Sequence, residues 1–267
     1  MGIRIICIGA HPDDCEIGFG GLAVKFAAAG HIVKFVSVTN GDAGHFRHSR
    51  EALAKIRRDE AQEAARRLGI AETEVLDIHD GEVLPTLAAR HEIVRQIRNW
   101  EADLVFTHRP WDYHPDHRYT GQLVQDSAYL VMVPHVCPDV PALHWNPVFL
   151  YLEDAFEQPT PFRPAIAVDI DEVWDRKLDA IDAHRSQVYE WLPWVDGNLE
   201  AVPAEAAEKR AWLSRLYARP INECTMAALQ RRYGPARARQ IRHAEAFQLC
   251  EYGRRPDIAE LERMFPQ

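Results

Sequence analysis

Two uninterrupted apolar runs of strand length, Arg4–Gly9 and Ile32–Thr39, constrain this chain more than any other feature. A strand with one wet face alternates apolar and polar residues, so runs without alternation predict strands covered on both faces. Between them Gly20–Gly30 reads as a helix. Ser49–Gly69 then sets Leu53, Ile56, Ala61, Ala64, Ala65 and Leu68 at helical spacing, with Ser49 placed to cap its start and Gly69 its end. A strand over Glu74–Ile78, a helix over Leu87–Trp100 and a strand over Asp103–Thr107 continue the alternation. Parallel strands require helical crossovers of this kind. The predicted class is therefore α/β: a Rossmann-like, three-layer α/β/α arrangement around a mostly parallel sheet.

Beyond Asp116 the pattern predicts a helix over Arg118–Val131, strands over Val148–Leu152 and Ala165–Val168, and a helix over Glu172–His184. Tyr189–Gly197, with Trp191, Pro193 and Trp194, reads as a loop, and two or three additional C-terminal helices fill Glu205–Phe265. Neither a linker nor an internal repeat interrupts the sequence, so residues 1–267 are expected to form one domain.

Charge and cysteine content narrow the setting. A net charge of -9 and a pI near 5.8 argue against a nucleic-acid partner, because phosphate contacts need clustered cations. The longest apolar stretches, Leu22–Ala29 and Tyr129–Val136, are broken by Lys25 and Pro134 and fall short of the roughly 18 residues a bilayer requires. No membrane partner is expected. The opening apolar run is too short for a signal-peptide core, and the five scattered cysteines form no C-x-x-C pair, which suits a reducing cytoplasm.

Function must come from two clusters. Gly9-Ala10-His11-Pro12-Asp13-Asp14-Cys15-Glu16 stands where the first strand ends, the edge at which open α/β sheets bind ligands. A dinucleotide loop would carry G-x-G-x-x-G there; an imidazole and three carboxylates would instead repel phosphate. Adjacent Asp13 and Asp14 repel each other unless a cation or a proton intervenes. One His and one Asp three residues apart can ligate the same ion and leave the neighbouring Asp free as a base. The competing reading is a pair of aspartates capping the next helix. The second cluster, Thr107-His108-Arg109-Pro110-Trp111-Asp112-Tyr113-His114-Pro115-Asp116-His117, follows the fourth strand and adds three histidines and two aspartates on a loop stiffened by proline. Two His/Asp clusters at the carboxyl ends of parallel strands fit a metal site better than two helix caps.

Together His11-Pro12-Asp13-Asp14 and His114-Pro115-Asp116-His117 resemble the signature of the LmbE-like, or PIG-L, deacetylase family. The resemblance extends to Gly18-x-Gly20-Gly21, Ile56-Arg57-x-x-Glu60, His184-x-Ser186-Gln187 and Ala244-Glu245-Ala246-Phe247, and so covers most of the chain. Cys15 separates the Asp pair from Glu16, as in the family branch that reads H-P-D-D-x-E.

The resemblance implies a hydrolase that removes an acyl group, usually acetyl, from the nitrogen of an amino sugar or its conjugate. It implies one Zn2+ per chain on His11, Asp14 and His117, with Asp13 as general base. A two-histidine, one-carboxylate face also suits Fe2+. A protonated His114, oriented by Asp116 or Asp112, would stabilise the oxyanion, and Asp13 or His114 would protonate the leaving amine. Arg57 matches a family arginine placed to bind substrate, although an intrahelical ion pair with Glu60 is the plainer alternative. Glu16 is expected either to orient a ligand or to favour a helix N-terminus. His45, Arg47 and His48 border a candidate pocket loop, and Trp191 and Trp194 suit a subunit interface or a sugar face. Many relatives form homo-oligomers, so one is expected here. A metal-containing carbohydrate-binding protein without turnover is the alternative from another class.

Overall fold

The computed structural model describes residues 2–267. Its sheet is built from β1 (Arg4–Gly9), β2 (Ile32–Thr39), β3 (Glu72–Ile78), β4 (Leu104–Thr107), β5 (Val148–Leu152), β6 (Ile166–Asp169) and β7 (Ala244–Gly253), in the order β3-β2-β1-β4-β5-β7-β6. Helices α1 (Asp14–Ala28), α2 (Arg50–Leu68), α3 (Leu87–Asn99) and α4 (Pro115–Leu130) supply the early crossovers. They are followed by α5 (Trp174–Ala183), α6 (Leu192–Val195), α7 (Ala206–Tyr217), α8 (Glu223–Tyr233), α9 (Pro235–Ala238) and α10 (Ile258–Met264). The first five strands pair in parallel, whereas β7 runs antiparallel to both β5 and β6.

Alternate side chains of β1 enter opposite cores, which is why the strand reads as one continuous apolar run. Ile5 and Cys7 pack with Phe19, Leu22 and Phe26 of α1 and with Leu68 of α2. Ile6 and Ile8 pack with Ile93 and Ile97 of α3 and Leu123 and Val124 of α4. Burial of each such aliphatic side chain contributes about 1.5–3 kcal/mol, so the middle layer is the most strongly held. The strand order reverses between β1 and β4. The loops leaving their carboxyl ends therefore diverge and open a crevice between them.

Two helix starts and two element types differ from the sequence expectation. Helix α1 begins at Asp14 rather than Gly20, and α4 at Pro115 rather than Arg118, so both motifs enter the first helical turns. Proline suits that first position because its missing N–H would find no helical partner there. The expected loop over Tyr189–Gly197 is largely helical, with a wide turn at Ser186–Trp191 leading into α6. Finally, Ala244–Gly253 is a strand, not part of a helical tail. Its Glu245 lies buried because the carboxylate accepts from the backbone N–H groups of Gly21 (2.9 Å) and Leu22 (2.7 Å) and from Lys177 Nζ (2.7 Å). The glycine motif of α1 and the Ala244–Phe247 motif are thus two halves of one contact.

No helix among the described residues is long and apolar enough to cross a membrane. Cys7, Cys15, Cys137 and Cys250 are buried thiols, Cys224 is exposed, and none is paired in a disulfide.

Candidate active site

The loop after β1 is locked by one of its own carboxylates. Asp14 Oδ2 accepts from the N–H groups of Ala10 (2.9 Å) and His11 (2.7 Å), folding the turn back on itself. Asp13 is held at φ 146°, a conformation that L residues rarely adopt. Neither aspartate caps α1 with its side chain, so the capping alternative does not describe this turn. Asp14 instead faces the histidines, and Asp13 faces Arg57 Nη2 at 3.4 Å.

Three donors converge across the crevice. His11 Nδ1 lies 3.2 Å from His117 Nε2 and 3.5 Å from Asp14 Oδ2, and His117 Nε2 lies 3.4 Å from Asp14 Oδ1. Ligands about 2.0–2.1 Å from a tetrahedral ion stand about 3.3–3.4 Å apart, so these separations fit zinc. The opposite ring nitrogens are held by carboxylates. His11 Nε2 meets Asp80 Oδ1 at 3.1 Å and Asp116 Oδ2 at 3.2 Å, and His117 Nδ1 meets Asp112 Oδ2 at 3.2 Å. With the ring protons on those nitrogens, as the carboxylates favour, the two lone pairs turn toward each other. Lone pairs facing at 3.2 Å suit a shared cation, and without one a proton on either ring bridges them.

Asp116 departs from its expected role. Its carboxylate accepts from the N–H groups of Gly81 (2.7 Å) and Val83 (3.2 Å) while contacting His11, and Asp112 serves His117; neither carboxylate hydrogen-bonds the His114 ring, although Asp112 Oδ1 accepts the His114 backbone N–H at 2.9 Å. His114 is instead the N-terminal cap of α4, its Nδ1 accepting the Asp116 N–H at 3.2 Å. That bond fixes the neutral tautomer with its proton on Nε2. The ring centroid lies 4.6 Å from that of His11.

Electrostatics follow the geometry. Burial disfavours charge on His11, yet Asp116, Asp14 and Asp80 raise its pKa well above the ordinary value. Burial likewise opposes charge on His117, which Asp14 and Asp112 push up to about 9. Asp14 is held well below the carboxylate range by His117 and His108, against its burial. Asp13 moves the other way, since burial raises it more than Arg57 lowers it. Burial and the neighbouring His11 and His117 lower the His114 pKa, and its Nδ1 accepts the Asp116 N–H, so both favour a neutral donor over the protonated ring expected from the sequence.

Two participants had no role in the sequence reading. Asp80 follows β3 just as the known clusters follow β1 and β4, and that repeated position was its signal. His108 Nε2 meets Asp14 Oδ2 at 3.1 Å and its ring stacks on His117 at 4.1 Å. Arg57 does not pair with Glu60, whose carboxylate takes Ser186 N (2.7 Å) and Oγ (2.6 Å). Glu16 faces His184 Nε2 at 3.5 Å rather than orienting a metal-site histidine. From the loop after β2, Gly44 borders the cavity, while His45 turns onto Glu190 at 2.9 Å. His45 Nδ1 accepts two backbone N–H groups, so its other nitrogen carries the proton and is a poor metal donor despite the proximity of His48 and Glu190.

These groups open into a cavity of about 650 Å³. Its floor is the His/Asp centre, and its walls include Arg57, Phe156, Trp191, Tyr217 and Arg219. Trp191 thus borders the cavity, and Trp194 stacks on it with centroids 5.3 Å apart.

Fold and site define an α/β protein with a two-histidine, one-carboxylate centre at the carboxyl edge of its sheet. The PIG-L family, described as GlcNAc-PI de-N-acetylase, matches residues 6–128, the stretch that carries every residue of that centre. A diacetylchitobiose deacetylase from Thermococcus kodakarensis is 32% identical over 202 residues, 72% of this chain and 73% of that protein. The solved N,N'-diacetylchitobiose deacetylase from Pyrococcus horikoshii superposes with a TM-score of 0.70 at 28% identity, covering 92% of this chain and 83% of its own. A 4-carboxy-2-hydroxymuconate hydratase from Pseudomonas putida KT2440 shares the fold, with a TM-score of 0.72 at 21% identity over 96% of this chain and 99% of its own. The chain belongs to the PIG-L family.

Proposed function

We propose that this protein is a zinc-dependent deacetylase that removes the acetyl group from the nitrogen of a glucosamine-type sugar or its conjugate. The observation that carries the reading is the convergence of His11 Nδ1, Asp14 and His117 Nε2 within 3.2–3.5 Å of one another, with Asp13 beside them and not consumed as a cap. Support also comes from the deacetylase relatives, which share most of the chain.

His11, Asp14 and His117 would hold the ion, leaving a position open to solvent in the cavity. When bound, zinc supplies a Lewis acid that brings the pKa of a water toward about 7 and polarises the amide carbonyl; Fe2+ suits the same donor set. Asp13 takes the proton of the attacking water, a task favoured by the burial that raises its pKa. His114 donates its Nε2 proton as a hydrogen bond to the oxygen on which charge develops. Because that ring is neutral, losing its only N–H would leave an imidazolate. Asp13 therefore hands the proton it has gained to the leaving nitrogen. Asp80, Asp112 and Asp116 fix the orientation and tautomer of the ligating rings.

The free thiols and the absence of a membrane-crossing helix among the described residues support a soluble, cytoplasmic setting, and a homo-oligomer is part of the same proposal. The test is release of amine and acetate from N-acetylglucosamine and N,N'-diacetylchitobiose by zinc-loaded and chelator-treated protein. Release that depends on metal is expected. Undiminished activity without metal, or none on any N-acetylated sugar, contradicts the proposal.

A further inference from the structure

Two residues that line the cavity carry buried polar atoms that the reaction leaves without partners. Arg57 is 2% exposed; its Nη2 faces Asp13, but its Nε and Nη1 find no hydrogen-bond partner among the described residues. Tyr217, the last residue of α7, borders the same cavity, and its hydroxyl is likewise buried and unpartnered among the described residues. Its phenol lies near enough to Asp13 and Arg57 to feel both charges. Buried polar atoms are nearly always satisfied, so two such groups on residues that line one cavity call for a ligand that supplies the missing partner.

We propose that Tyr217 is a substrate-binding residue whose hydroxyl, together with Arg57, holds the sugar hydroxyl on the ring carbon adjacent to the one that bears the acylated nitrogen. The assignment rests on the deacetylase reading above. A guanidinium only donates, whereas a phenol both donates and accepts; a substrate hydroxyl satisfies the two at once. A carboxylate would be drawn to Arg57 but repelled by Asp13, which already faces that guanidinium. The wall therefore selects a neutral polyol over a polycarboxylate. Asp13 must reach a water at the acyl carbon, so groups beside Asp13 meet the ring atoms flanking the nitrogen-bearing carbon. In a glycoside the anomeric oxygen is substituted, which leaves the 3-hydroxyl. Tyr217 lies outside residues 6–128, so the part of the chain that matches the family does not carry it.

The test compares wild type and Tyr217→Phe on the methyl glycosides of N-acetylglucosamine and of its 3-deoxy analogue. Amine release is one readout. Calorimetric binding of the two deacetylated glycosides, which do not turn over, is the other. Wild type is expected to prefer the hydroxylated sugar by about tenfold or more in both readouts. Tyr217→Phe should lose most of that preference, chiefly through KM, with metal content and melting temperature unchanged and with less than about a twofold effect on the 3-deoxy pair. Equal losses on both sugars, or no loss on either, overturn the assignment. So does a wild type that does not discriminate, even if the variant fails to fold. A wild type that neither deacetylates nor binds any glucosamine glycoside removes the deacetylase reading itself.

Discussion

At Asp13 the backbone is held at φ 146° and the carboxyl is buried, yet no protein donor uses it as a helix cap. A buried carboxyl with a raised pKa, 3.4 Å from a guanidinium, is better suited to accepting a proton than to supporting the fold. Asp13→Asn should retain bound zinc but lose about 10²–10⁴ in kcat, read by metal analysis alongside amine release. His114→Ala should cost about 10²–10³ in kcat, the usual loss for one oxyanion donor. Since burial and the neighbouring His11 and His117 lower the His114 pKa and so favour its neutral form, the alkaline limb of the rate profile should be unchanged by His114→Gln, which keeps a donor. His117 makes the metal-free protein sensitive to pH in the opposite sense from metal uptake. Its pKa rises from 6.5 to about 9 on folding, so the stability gained from its charge is fully present below about 6.5 and is lost as pH climbs through about 9. Zinc must displace that proton, so zinc affinity should instead strengthen as pH rises over the same window. Melting temperatures of metal-free protein and zinc titrations across that range check both signs.

At the scale of elements, the contact among α1, α5 and β7 is the one whose loss should be felt most. Lys177 Nζ donates to Ile17 O at 2.7 Å and pairs with Glu245, which also satisfies two N–H groups of α1, all in a buried setting. Glu245→Ala leaves a buried cation and two amides unmatched and should cost about 3–5 kcal/mol, measured by denaturant unfolding of the zinc-free protein. Strands β1, β2 and β4 and helix α2 were legible because burial on both faces erases alternation and because Ser49 and Gly69 mark the helix ends. The starts of α1 and α4 were not, since Asp14 and His114 act through side-chain contacts formed only on folding. Strand β7 escaped notice because the signal of Glu245 depends on Gly21, Leu22 and Lys177, which are far away in sequence. Among site residues, His11, Asp14 and His117 could be chosen from spacing and resemblance. The assignment of Asp116 to His11 rather than His114 could not, because it depends on where Gly81 and Val83 bring the loop after β3.

For the whole molecule, strand order decides the outcome. Only with β1 beside β4 do a motif near residue 11 and one near residue 117 face each other across a single crevice. Sharing of the fold with a hydratase shows that the scaffold alone does not choose the reaction, which leaves the choice to the groups around the centre. The claim on which the account depends is that one divalent ion is shared by both motifs. Diffraction from zinc-soaked crystals, recorded on both sides of the zinc edge, tests it most directly. The account predicts a single anomalous peak about 2 Å from His11 Nδ1, His117 Nε2 and an Asp14 carboxylate oxygen. A peak at His45, His48 and Glu190 instead, or no peak at the crevice, would contradict it.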